Sequence, residues 1–135
     1  MVRYALIIGI THYSSPYLPP LSKAAKDAEA IALAEQAAQA VQAAWEKGEA
    51  LTFQERGEVS IAVSIAKAFA IKVGLTITNH VFDVMGARAT SAHYNFDRYW
   101  RDLRTFSLHD PVDYKLRDIG NWVLNHELPP VNQYS

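Results

Sequence analysis

The stretch from Thr52 to Met85 constrains this chain more than any other. It opens with Thr52-Phe53-Gln54-Glu55, the pattern of a capping box, in which the Thr hydroxyl takes one orphan N–H of a helix start and the Glu reaches back for another. Beyond it, Val59, Val63, Ala66, Ala70, Val73, Ile77 and Val84 recur at helical steps on one stripe. Ile61, Ile65, Ala68, Ile71, Leu75, Thr78, Phe82 and Met85 form a second. A helix apolar on two sides belongs in an interior. Gly57 and Gly74 within it each cost about 1 kcal/mol relative to Ala, so they point to close packing against a neighbour. Gly86 supplies the stop.

The other elements follow from that helix. An Ala-rich segment from Ser22, a candidate N-cap, to Lys47 is a strong helix former, and Gly48 ends it. Gly86 to Asn95 is expected to be a loop, and Phe96 to Thr105 a short arginine-rich helix. Asp110-Pro111 reads as the N-cap and first residue of a further helix, with Leu116, Ile119 and Val123 on its buried face and Pro129-Pro130 closing it. Near the N-terminus, Ala5 to Ile10 is a β-branched apolar run with the look of a buried strand, but no later strand exists to pair with it. The fold class expected is all-α: a bundle of about four helices with a short extended N-terminal segment.

Composition narrows the function. In 135 residues the net charge is −1, which argues against nucleic-acid binding driven by bulk charge and against a polybasic membrane surface. The absence of cysteine excludes disulfides, thiolate metal sites and a cysteine nucleophile. No apolar run is expected to approach the roughly 18 residues of a membrane span. The opening residues lack a small-residue cleavage site after their short apolar run, so a cytoplasmic location is expected. His12, His80, His93 and His126 are scattered without metal-ligand spacing, and no metal is assigned.

Two resemblances attach to different parts of the chain. Residues 3 to about 31, from Arg3-Tyr4-Ala5-Leu6-Ile7-Ile8-Gly9-Ile10 through Leu18-Pro19-Pro20-Leu21 to Ile31, resemble the start of the caspase-like (metacaspase) peptidase domain. Without the later strands and without Cys, that piece implies no protease activity. Residues from about 32 to 135 resemble the C-terminal helical domain of the acyl-CoA dehydrogenase fold, in the branch of flavin-dependent monooxygenases. The most specific stretch runs from Asp97-Arg98-Tyr99-Trp100-Arg101 through Leu108-His109-Asp110-Pro111, extended by Gly120-Asn121-Trp122-Val123-Leu124-Asn125 and Glu127-Leu128-Pro129. The full fold includes an N-terminal helical domain and a middle β-domain that this sequence does not contain. The expectation is therefore a fusion or rearranged fragment, inactive by itself.

The resemblance implies FAD or FMN as cofactor and homo-oligomerisation through the helix of residues 52–85, with the Ile61, Ile65, Leu75 and Phe82 stripe as surplus apolar surface. It implies that His109 stands near the flavin ring, where a His suits proton exchange near neutrality. The loop of Gly86, Arg88, Thr90 and Ser91 sits where dehydrogenases carry a turn that meets flavin phosphates; by itself it also reads as a plain helix stop. Arg98, Arg101 and Arg104, at three-residue steps with Asp102 four residues after Arg98, form one basic face. It is either an anion contact or a solvated surface. The rival functions are a non-catalytic oligomerising module and a degenerate caspase-family fragment.

Overall fold

The computed structural model describes residues 22–132. Four α-helices follow one another: α1 (Ser22–Lys47), α2 (Phe53–Met85), α3 (Asp97–His109) and α4 (Val112–Asn125). Short 3₁₀ turns at Gly48–Ala50 and Ala87–Thr90 close the first two. Among the described residues there is no strand, and the architecture is the expected all-α bundle. The extended segment expected at Ala5 to Ile10 lies outside the described residues, as does the side chain of Ser22, expected to cap α1.

Helix α2, 33 residues or about 50 Å long, is the axis of the bundle and packs against α1, α3 and α4. Its start is the capping box read from the sequence. Thr52 Oγ1 accepts from Glu55 N at 3.2 Å, and Thr52 N donates to Glu55 Oε2 at 3.0 Å. Lys47, the last residue of α1, reaches the same carboxylate, so one Glu ties the end of α1 to the start of α2. At the far end Gly86 takes φ 73°, a left-handed value that favours glycine. One 18-residue window of α2 reaches a mean hydropathy of 1.7, enough by length and composition to cross a membrane. This corrects the expectation that no apolar run approaches the length of a membrane span. In the structure the same helix is the one around which the others pack.

Both interior glycines are sites of close approach. A Cβ on Gly57 would stand 2.7 Å from Leu128 Cδ1, and one on Gly74 would stand 2.8 Å from Leu103 Cδ2. Leu103 belongs to α3. Leu128 lies beyond α4, where the chain returns to the first turns of α2 and buries Pro129.

Three readings are corrected. Ile61, expected on the surplus stripe, is the largest fully buried side chain, and Ile71 and Ala68 of the same stripe are buried too. Ile65, Leu75 and Phe82 are half-buried. The outward apolar positions of α2 include Val63, Ile77, Val81 and Val84 instead. The two stripes merge because three neighbours wrap α2, and no neighbour follows a single stripe along its whole length. Second, α3 continues four residues past Thr105. Ser107 Oγ donates back to Arg104 O at 2.7 Å within the helix, and only Pro111 forces Asp110 out of helical geometry (φ −128°, ψ 92°). Third, Leu116 and Val123 of α4 are exposed and Ile119 half-buried, while Lys115 is buried. The helix is turned to send a lysine inward, and it ends at Asn125, with His126 in the left-handed region, before the prolines are reached.

Candidate functional site

The corner between α3 and α4 is built around one carboxylate. Lys67 is the only charged residue between Glu58 and Lys72 in an otherwise apolar stretch of α2. Its ammonium donates to Asp110 Oδ2 at 2.6 Å and to the Asp110 main-chain carbonyl at 3.1 Å. Lys115 Nζ lies 3.4 Å from the same Oδ2. Burial alone would raise the Asp110 carboxyl. The Lys67 hydrogen bond and the charges of Lys115 and Lys67 outweigh it and hold the group below its usual 3.8. Lys67 also stands 5.2 Å from the Phe106 ring centroid, one helical turn before Asp110.

Asp110 is therefore not the helix cap expected from its place before Pro111. Pro111 takes the N-cap position of α4 with no side-chain cap bond, because the carboxylate is engaged by α2. Sequence reasoning missed Lys67 and Lys115 altogether. The signal that was available is the lone charge inside the apolar stretch, since a buried ammonium needs a counter-charge.

His109 is the last residue of α3 and is exposed. It shares a half-open cavity of about 370 Å³ with Asp110, Tyr114, Lys115, Arg117 and Asn132. Beyond Pro111, which borders both spaces, an apolar groove of about 680 Å³ runs between α2, α3 and α4. Phe69, Leu75, Leu108 and Ile119 line it, with Lys72 and Arg104 as cations.

The remaining candidates stand elsewhere. Arg98 and Arg101 precede His109 by eleven and eight residues, about 16 and 12 Å along α3. The expected Arg98–Asp102 pair gives way to Arg101–Asp97, at 3.1 Å. An acid four residues before its base, in the first turn, suits the helix dipole. Arg98 lies over the Tyr99 ring instead. Arg104 donates to Ser107 Oγ at 3.3 Å. In the turn after α2, Gly86 and Arg88 are exposed, Thr90 Oγ1 donates to Ala87 O, and Ser91 Oγ accepts from His93 N. Both hydroxyls thus serve their own turn. The structure brings His109 and Arg104 to adjoining spaces, and leaves the 86–91 turn, Arg98 and Arg101 toward the opposite end of α3.

The sequence profile of the family "Acyl-CoA dehydrogenase, C-terminal domain" matches residues 20–114. The chain belongs to that family. A dibenzothiophene monooxygenase of Mycolicibacterium goodii is 53% identical over 100 residues, 74% of this chain and 24% of that protein. A probable FMNH2-dependent monooxygenase, SfnC of Pseudomonas putida, is 52% identical over 103 residues, 76% of this chain and 26% of that protein. Among solved structures, methanesulfinate monooxygenase MsuC from Pseudomonas fluorescens superposes with a TM-score of 0.80 at 36% identity, covering 96% of this chain and 36% of that one. FMN-bound TdsC from Paenibacillus sp. A11-2 superposes with a TM-score of 0.78 at 43% identity, covering 84% and 28%. The chain spans about a quarter of the length of these curated relatives and about a third of the solved ones. The domain is thus the C-terminal helical region shared by flavin-dependent monooxygenases, as the stretch around His109-Asp110-Pro111 indicated. The family match takes in residues 20–31, and α1 runs unbroken through residue 31. The caspase-like reading of residues 3–31 gains no support from these comparisons.

Proposed function

We propose that this domain forms one wall of the flavin site of an FMN-dependent monooxygenase, with His109 as the residue that faces the flavin. The observation that carries the proposal is the likeness to FMN-bound TdsC, together with the placement of His109 on an open cavity. The spaces on either side of Pro111, about 370 and 680 Å³, fall in the range of ligand pockets. Their lining fits a flavin: apolar side chains for a planar ring system, and Arg104 and Lys72 for an anionic tail. A bound reduced flavin supplies the electrons for oxygen insertion. The His109 imidazole holds or returns a proton beside the ring, and Arg104 contacts the anion. FMN carries a single phosphate, so Arg98, Arg101 and the turn of Gly86, Arg88, Thr90 and Ser91, set toward the other end of α3, form a separate anion-binding surface of guanidinium and main-chain N–H groups, the Thr90 and Ser91 hydroxyls being engaged locally.

FMN is favoured over FAD on the names of the relatives. The domain works in the cytoplasm and has no turnover by itself, because flavin chemistry depends on an enclosed, water-excluding site. Titration with FMN and with FAD, followed by flavin fluorescence, tests the reading. Saturable quenching by the wild type, stronger for FMN and weakened in Arg104→Ala and His109→Asn, is expected. Quenching unaffected by either substitution would overturn it.

Subunit association through α2 is the second role. Val63, Ile77 and Val84, the last 88% exposed, favour it. Sedimentation velocity should then show a dimer or larger species, shifted toward monomer by Val84→Asp. A folded monomer at high micromolar concentration would refute it. Association without any flavin binding would mark a non-catalytic oligomerising module instead.

A further inference from the structure

We propose that Lys67 is the positioning residue for His109, a proposal that rests on His109 being the flavin-facing group. The His109 imidazole makes no side-chain hydrogen bond among the described residues, and His109 is the last residue of α3. The end of a helix frays unless something outside the helix holds it. Here that hold comes from a residue 43 positions earlier. The Lys67 ammonium takes both the carboxylate and the main-chain carbonyl of Asp110, the residue bonded directly to His109. The two acceptors lie on the side chain of Asp110 and on its peptide to Pro111, so the lysine fixes the Asp110 Cα between them, to which the peptide from His109 is joined. The Phe106 ring, 5.2 Å from Nζ, places the same cation against the preceding turn.

The lysine therefore spans the last turn of α3, with His109 between its two points of contact, Phe106 and Asp110. A cation at a helix C-terminus also opposes the negative end of the helix dipole. Lys67 and Asp110 are 16% and 22% exposed at their side chains, so water competes weakly for the bond. A lysine serving only to neutralise Asp110 would need the carboxylate alone; the second bond, to the carbonyl on the far side of the Asp110 Cα, holds that residue at two points and so fixes where the peptide from His109 joins it.

The test uses the full chain with isotope-labelled histidine, the His109 ring signals being assigned by their loss in His109→Asn. Lys67→Met keeps the stem and removes the charge and donors. It is expected to displace or broaden the His109 ring signals while helical circular dichroism stays as in wild type. Lys47→Met, an exposed lysine at the end of α1, is expected to leave them in place. Lys67→Arg, which retains charge and donors, is expected to restore them in part. FMN affinity should fall about tenfold in Lys67→Met, the worth of one well-placed hydrogen bond to a charged group, with no further loss on adding His109→Asn. A Lys67→Met protein with a lowered melting temperature and unchanged His109 signals would overturn the proposal, leaving Lys67 a purely structural residue. If wild type binds no FMN, the flavin reading fails separately, and the ring signals still decide the role of Lys67. Should Lys67→Met not fold, Lys67→Gln, too short to hold both acceptors, is expected to displace the same signals, and unchanged signals in a folded Lys67→Gln protein overturn the proposal.

Discussion

Replacing Gly57 and Gly74 by alanine, one at a time, separates helix propensity from packing at two sites of the same helix. Each substitution gains about 1 kcal/mol of propensity. The added methyl meets different surroundings. At Gly74 it approaches one atom closely, Leu103 Cδ2 at 2.8 Å, and the next two atoms of that side chain lie at 3.8 and 3.9 Å. A small rotation of the leucine tip relieves this, so Gly74→Ala should be neutral to slightly stabilising, within about 0.5 kcal/mol of wild type. At Gly57 the methyl meets three atoms of Leu128 at 2.7, 3.0 and 3.0 Å, one of them Cβ, which moves only with its backbone. Overpacking of this kind costs about 1–3 kcal/mol, for a net loss of up to about 2 kcal/mol after the propensity gain. In a chain of this size that is a fall in melting temperature of up to about 8 °C, read by thermal circular dichroism at 222 nm. The double-mutant cycle is decisive. In a Leu128→Ala background the two Cδ contacts are gone and only the Cβ contact at 3.0 Å remains, so Gly57→Ala should cost at least about 1 kcal/mol less than in wild type, a coupling that independent sites do not show. Equal effects at the two glycines, or a Gly57→Ala cost undiminished by Leu128→Ala, would refute the packing argument.

Other outcomes follow from the same contacts. Thr52→Ala removes the cap of α2 and should cost about 1 kcal/mol, seen as a lower urea midpoint with an unchanged slope. Glu55, held by Lys47 and Thr52, has its carboxyl lowered from 4.5 to about 2. Because the folded value is the lower one, the unfolded chain takes the proton first; the stabilisation is whole above pH 4.5 and is lost as pH falls toward 2. Glu55→Gln should flatten the acid limb of the stability curve in that window. Asp110 follows the same sign below its usual 3.8, and Asp110→Asn, which leaves Lys67 without its carboxylate, should cost about 2–3 kcal/mol at pH 7, less than a fully buried pair would. Ile61→Ala should cost about 2–4 kcal/mol by denaturant melt; a loss under 1 kcal/mol would mean that the face of α2 against its neighbours is not the core.

Local chemistry was enough to determine the first two helices. The Thr52–Glu55 box, the Gly48 and Gly86 stops, and the Ala-rich composition of α1 act within a few residues, and the helix boundaries they imply agree with the structure within a residue or two. The two glycines announced close approach before their partners were known, because a glycine inside a helix is costly unless space is short. His109 was legible as a candidate only through the Asp97–Pro111 stretch shared with a family, since one exposed histidine has no spacing or partner to mark it. What the sequence could not decide was rotation and long-range pairing. Two apolar stripes on α2 are equivalent until neighbours choose between them, and the packing buried Ile61 while leaving Val84 outside. Asp110 before a proline looks like a cap in any linear reading. It became the anchor of Lys67, 43 residues away, because a charge sunk into an apolar helix must find its counter-charge wherever the fold brings one. Capping and propensity are energies of neighbours along the chain. Burial and ion pairing are energies of neighbours in space, and only the tertiary structure decides who those are.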